Sequence, residues 1–388
     1  MPASSLHDAM RARVDRGEFP GLVTLVARGD EVRVDALGVT YFGGDVPMRR
    51  EAPFRITSMT KPVLAAATMA LVDDGLLRLE EPVQRLLPEL ADRRVLRRFD
   101  AALDDTVPAR RPITLDDLLT FRMGFGLMVE PEFDPPVPVN LRARELELML
   151  GPPEPRSPHG PDEWMRRFGT LPLLEQPGER WSYNVGSLVL GVLVARAARK
   201  PLGDVLRERI FEPLGMRHTG FSLPAEVAAR LPGQYMTDPK TQRLTENTAT
   251  ASELWSREPA FPSGAGGLAS TADDFLSFAR MLLNRGVHGG ARILSEQSVT
   301  RMTTNQLTPE QIASGGMILG GSGWGLGMSV TVEPDDVTAT PGRYGWAGGY
   351  GTDWFNDPHE GLIAIALTQV SDFLWSGALT EFVKLAYR

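Results

Sequence analysis

The 388-residue chain contains no cysteine, which removes disulfides, thiolate metal sites and cysteine nucleophiles together. Histidine is scarce as well. His7, His159, His218, His288 and His359 stand far apart, with no H-x-x-H or H-E-x-x-H pair, so neither a zinc centre nor any other metal is expected. Lysine is scarcer still, confined to Lys61, Lys200, Lys240 and Lys384, and arginine supplies the ordinary surface cations. Those arginines are scattered and the net charge is −8, which argues against nucleic acid as a partner, since phosphate backbones require clustered basic residues. No run of about 18 apolar residues occurs, so no membrane span is expected. The N-terminal "MPASSLHDAMRARVDRGEFPG" lacks the apolar core of a signal peptide, and the expected location is cytoplasmic. The G-x-S-x-G elbow is absent too, and with it the usual anchor of a Ser-His-Asp site in an α/β-hydrolase.

What is present reads as an ordinary folded chain, 42% hydrophobic and 23% charged. Residues 5–17 have helical spacing, and "GLVTLVARGDEVRVDALGVTYF" reads as a β-hairpin turning at Gly29-Asp30. Helical patterns follow at 61–77, 114–121, 186–199 and 271–286, the last with a capping signal at Ser270 or Thr271. Strand patterns return in "GWGLGMSVTV", "RYGWAGG", "TDWFNDP" and "GLIAIALTQV", before an amphipathic helix over 372–387. Strands at both ends with helices between them predict an α+β fold. One antiparallel sheet would draw on both termini, flanked by helices, with a mostly helical region inserted. The expected division is a sheet domain of residues 1–56 and 287–388, a helical domain of 57–286, and an active site at their interface. Long Pro-rich loops such as "EPEFDPPVPVN" and "GPPEPRSPHGPDEW" are of a length that is often functional. The stretches 122–165 and 232–262, rich in Met, Phe, Trp and Pro, are expected to wall an apolar pocket.

The chemistry concentrates in "FRITSMTKPVLAAATMALVDDGLL". Ser58 and Lys61 are three residues apart and so share a helix face. A serine hydroxyl needs a base before it is a useful nucleophile, and a desolvated lysine can be that base. The bland alternative is that Ser58 caps the helix and Lys61 snorkels to solvent. Capping leaves Lys61 unexplained, because a helix N-terminus disfavours a cation. Two further segments stand out. In "PGERWSYNVGSLVLG" Tyr183 sits just ahead of a helix, and in "YGWAGGYGTDWFNDP" Gly348 and Gly349 follow Trp346 on a strand pattern. Glycines in a strand often mark close approach of a ligand to backbone, or else a bulge.

Taken together, these segments resemble the serine β-lactamase and penicillin-binding-protein superfamily, and within it the class C-like esterases called family VIII carboxylesterases. The resemblance covers roughly residues 5–385, through "ITSMTKPVLAAATMALVDDGLLRLEEPV", "ITLDDLLTFRMGFG", "PGERWSYNVGSLVLG", "GAGGLASTADDFLSFARMLL" and "YGWAGGYGTDWFNDP" in family order. It implies a β-lactamase/transpeptidase-like fold. The family's S-x-x-K falls on Ser58 and Lys61, its tyrosine motif on Tyr183, and its third motif on Trp346-Ala347-Gly348. Two departures carry information. Where β-lactamases have Y-x-N, this chain reads Tyr183-Asn184-Val185, and where they have K-T-G, Trp346 replaces the lysine that helps bind a substrate carboxylate.

The implied reaction is acyl transfer through a Ser58 ester, with Lys61 and Tyr183 sharing one mobile proton. The resemblance puts the oxyanion hole at the backbone N–H groups of Ser58 and Gly349. It puts substrate contacts at Trp346, Ala347, Gly348 and Asn184, and requires no metal or organic cofactor. Losing the motif lysine favours small neutral esters, so a carboxylesterase with a small-molecule ester substrate is expected. A β-lactamase or D-alanyl peptidase, a biosynthetic acyltransferase and a non-catalytic scaffold are the alternatives. The residues leave oligomeric state open.

Overall fold

The computed structural model describes residues 5–127, 137–151, 157–238, 240–248, 251–337 and 340–388. The hairpin forms as the alternation requires, β1 (Gly21–Arg28) pairing with β2 (Glu31–Gly38) from Arg28↔Glu31 to Gly21↔Gly38. Five further strands come from the other end of the chain: β3 (Gly323–Trp324), β4 (Ser329–Val330), β5 (Tyr344–Gly348), β6 (Thr352–Asp357) and β7 (Leu362–Leu367). They join the hairpin in one seven-stranded sheet, in the order β3-β4-β5-β6-β7-β1-β2. Every pairing in it is antiparallel. The sheet is closed from both termini, as the α+β reading anticipates.

Both faces of this sheet are covered, and β7 shows how. Ile363, Ile365 and Leu367 enter the larger core, while Leu362, Ala364 and Ala366 enter a second one. That is the period of two that a strand imposes. The second core is completed by α1 (Leu6–Asp15) and by α5 (Ala378–Ala386), which contributes Ala378, Phe382 and Leu385. Behind the other face lie α2 (Thr60–Asp73), α3 (Val185–Ala198) and α4 (Ala272–Leu283). α2 is buried from Thr60 through Leu71 and α3 from Val185 through Val194. Helices apolar on every side belong inside a core, not on its surface.

Three boundaries differ from expectation, each at a glycine. α2 stops at Asp73 instead of 77, because Gly75 takes φ +74°. The run 323–332 is two short strands, broken where Gly327 takes φ +80°. The final helix splits into a single turn, Ser371–Leu374, and α5, with Gly377 at φ +79° as the break. Thr271 caps α4 by accepting from the Asp274 N–H. Among the described residues no helix is long and apolar enough to cross a membrane.

Candidate active site

The two-residue strand Phe54–Arg55 pairs with Ala269–Ser270 and runs into one tight turn, Thr57–Met59, from which α2 departs. Thr57 holds φ +41° with its hydroxyl buried and unpartnered. A β-branched residue in the left-handed region is strained, and such strain persists only where the surroundings enforce it. Ser58 follows directly. It does not cap: no side chain caps either this turn or α2. Its Oγ lies 2.9 Å from Lys61 Nζ and 2.9 Å from the Tyr183 phenol oxygen. The two groups converge on one partly exposed hydroxyl.

Lys61 is 1% exposed and donates to the Ala265 carbonyl at 2.6 Å. Burial pulls its ammonium well below the ordinary lysine value of 10.5, because the charged form loses its hydration. A neutral amine at this position would also avoid the dipole penalty of a cation in the first turn of α2. Burial pushes the Tyr183 phenol the other way, up to about 12, against smaller opposing effects of its hydrogen bonds to Ser58 and Trp346. Trp346 Nε1 donates to that phenol oxygen at 2.9 Å.

These contacts have a direction. An indole N–H can only donate and a peptide carbonyl can only accept. With Lys61 neutral, the chain therefore runs from Trp346 N–H to Tyr183 O–H, to Ser58 O–H, to the Lys61 lone pair, and ends where Lys61 donates to Ala265. In this order each hydroxyl proton along the chain has an acceptor, and Ser58 points its own at an amine. A charged Lys61 would have no lone pair, and Ser58 would lose that acceptor.

The phenol ring is held by other rings. Trp181 stacks on Tyr183 with centroids 5.6 Å apart, Phe121 meets it edge-on at 5.8 Å, and Trp346 lies at 5.6 Å. Trp324 closes the group against Trp346 at 4.8 Å. Leu307, Ile312, Ile318 and Leu319 complete this apolar cluster. The Lys61 Nζ sits 4.6 Å from the Tyr183 ring centroid. Strand β5 brings its end directly onto the Ser58 turn, since a Cβ on Gly348 would collide with Ile56 O, Thr57 Oγ1 and Thr352 Oγ1. Ala347 precedes it half-buried, and Gly349 follows it exposed, with open space around its Cα.

Ser58, Lys61, Tyr183 and Trp346 thus meet through hydrogen bonds, with Gly348 packed against the same turn. Asn184 lies next to Tyr183, at the start of α3. It is 6% exposed at φ +78°, and its amide nitrogen is tied to the Leu150 carbonyl, so it braces the loop ahead of α3. Ala265, Phe121, Trp181 and Trp324 were not singled out by the sequence. Ala265 acts through its carbonyl, which leaves no side-chain signal, although "GAGG" around it belongs to one of the quoted segments. Of the loops expected to wall a pocket, residues 128–136, 152–156, 239 and 249–250 lie outside the described residues. Among the described residues no cluster of three metal-ligating side chains occurs.

Comparison with known proteins places the chain among relatives of one family. Protein Rv1367c of Mycobacterium tuberculosis is 38% identical over 374 residues, spanning 93% of this chain and 88% of that one. Esterase EstB of Burkholderia gladioli is 31% identical over 381 residues, spanning 93% and 88%. Among solved structures, EstCE1, described as a hydrolase with promiscuous acyltransferase activity, superposes with a TM-score of 0.78 at 26% identity, covering 98% of this chain and 97% of that one. These relatives support a serine hydrolase of the β-lactamase fold. The Beta-lactamase family model matches residues 6–383, and the chain belongs to that family.

Proposed function

We propose that the protein is a carboxylesterase that cleaves small neutral esters through a Ser58 acyl-enzyme. The Trp346–Tyr183 hydrogen bond carries this reading. Trp346 stands where the family's β-lactamases present a lysine, and its one polar atom is already engaged with the phenol. The position therefore offers substrate an apolar ring and no cation. EstB, an esterase by name, supports an ester as substrate.

In the proposed cycle the Ser58 proton passes to Lys61 Nζ as Oγ attacks the ester carbonyl. The oxyanion is met by the N–H groups of Ser58 and Gly349, donors worth about 2.7–4 kcal/mol each in comparable sites. Lys61 is now an ammonium facing the Tyr183 ring. A nearby cation eases loss of the phenol proton, so Tyr183 becomes a better acid at the moment the alkoxide departs and requires a proton. Water then attacks the acyl-enzyme, giving one proton to the Lys61/Tyr183 pair; the pair passes a proton to Ser58 Oγ as that oxygen leaves, and the acid departs.

Two measurements test this together. Ser58→Ala should lower kcat for p-nitrophenyl acetate by more than about 10⁴-fold while the fold survives. In the wild type, kcat/KM for that ester should exceed the value for benzylpenicillin by at least about a hundredfold, since a lost charge-assisted contact and a gained apolar face differ by about 3 kcal/mol. An enzyme that prefers penicillin would overturn the esterase reading.

A further inference from the structure

One dipeptide after β7 touches both sides of the proposed oxyanion hole, and the contacts are specific. Gln369 is fully buried at φ +59°, a conformation unusual for a residue with a long side chain. Its carboxamide accepts from the Arg55 backbone N–H at 3.3 Å and donates to the Arg55 carbonyl at 3.2 Å. It also accepts from the Arg55 guanidinium at 3.1 Å. Strand 54–55 pairs along one edge with Ala269–Ser270. On the other edge the Gln369 side chain makes the pair of bonds that a neighbouring strand would make. Arg55 stands three residues before Ser58.

The preceding residue does the equivalent for the other half. Thr368 Oγ1 donates to the Gly351 carbonyl at 2.7 Å, and the Thr368 N–H reaches the same oxygen at 3.0 Å. Gly351 closes the turn that contains Gly349, through its N–H to the Gly348 carbonyl at 2.9 Å. A Cβ on Gly351 would collide with Val370 O, so that turn is seated directly on the segment after β7. Thr368 is 1% exposed. Both halves of the hole, distant in sequence, are therefore indexed to adjacent residues of one rigid segment.

We propose that Thr368 and Gln369 are positioning residues that set the separation of the Ser58 and Gly349 N–H groups. The proposal rests on the esterase reading of Ser58. Neither side chain touches substrate, and neither belongs to the proton chain. Their loss should loosen the hole without disturbing the acid–base pair, because catalytic donors must be held to within about 0.5 Å.

Thr368→Val and Gln369→Met are nearly isosteric removals of the bonding groups, and Thr368→Ser restores the hydroxyl. The informative readout compares an oxoester with its thionoester, whose larger sulfur a tight hole rejects. Both removals should lower kcat for the oxoester about 10–100-fold with KM changed less than about threefold. They should also narrow the oxo-over-thiono preference about tenfold and leave the pH profile of kcat/KM unmoved, and Thr368→Ser should keep the wild-type values that Thr368→Val loses. Full activity in both variants overturns the proposal. So does an activity loss that tracks thermal stability while the oxo/thiono preference stays at the wild-type value. If Gln369→Met does not fold, the Thr368 pair decides alone. A wild type that turns over no ester would instead sink the esterase reading. The positioning role is then read from fluorophosphonate labelling of Ser58, which forms a tetrahedral adduct in the same hole: slower labelling of Thr368→Val supports it and an unchanged rate overturns it.

Discussion

Trp346 does two things with one side chain. In the proposed site its ring stands where the motif lysine would, and its N–H donates to the Tyr183 oxygen, which leaves the phenol proton to face Ser58. Trp346→Phe keeps most of the ring and removes only the donor. A neutral hydrogen bond contributes about 1 kcal/mol, so kcat for a small ester should fall about 5–10-fold, with the fold intact by circular dichroism. An unchanged rate would mean that the indole N–H does not set the acidity of the phenol. The pH profile follows from Lys61 in the same residue-level way. Protonated Lys61 has no lone pair for Ser58, so activity is absent at low pH and rises as pH passes through the lowered lysine value. The ascending limb of kcat/KM should therefore have its midpoint well below 10.5. Tyr183, pushed up to about 12, keeps its proton throughout, so no descending limb from the phenol is expected below about pH 11. A rise centred near the ordinary lysine value would show that burial does not neutralise Lys61.

At the scale of elements, the close approach of β5 to the Ser58 turn gives a paired test. Gly348→Ala places a Cβ against the backbone of Ile56, which cannot move without moving Ser58, two residues on. Activity should fall at least about a hundredfold, because displacements near 1 Å carry penalties of that size. Gly349→Ala meets nothing within 4 Å and keeps its N–H, so its loss should stay within about threefold. Equal effects of the two substitutions would remove close packing as the reason for Gly348. The same elements explain what could be read beforehand. The hairpin, β5 to β7, α3 and α4 announce themselves because alternation, helical spacing and caps are local properties. S-x-x-K is equally local, since both residues sit on one turn. Helix boundaries at Gly75 and Gly377 differ from the apolar pattern because a left-handed glycine breaks the helix there. The Trp346–Tyr183 bond spans 163 positions and has no signature in either segment alone. Ala265 and the Gln369 clamp on Arg55 contribute through peptide groups or to them, and backbone contacts of this kind are invisible to residue type.

The whole molecule assembles the site from segments distant in sequence that the seven-stranded sheet and its helices bring together. The aromatic cluster takes Phe121 from one loop, Trp181 and Tyr183 from another, Trp324 from β3 and Trp346 from β5. The segment between Leu307 and Leu319 packs over them. If Tyr183 protonates the leaving alkoxide, this apolar surface faces the departing alcohol, and it faces any alcohol that returns in place of water. An alkyl chain docked there is stabilised by about 0.8 kcal/mol for each buried CH₂, a gain that water lacks. Three extra methylenes, half buried, correspond to about tenfold in partitioning. With p-nitrophenyl acetate as donor, the ratio of transferred to hydrolysed acetyl should therefore rise about tenfold per molar alcohol from methanol to 1-butanol. Replacing Ile318 with Asp, at the partly exposed margin of the cluster, should flatten that dependence by putting a charge beside the incoming chain. Gas chromatography of the acetate esters gives the ratio directly. A partition that ignores chain length in the wild type would show that the alcohol does not meet the rings around Tyr183, and would move the leaving-group side of the site elsewhere.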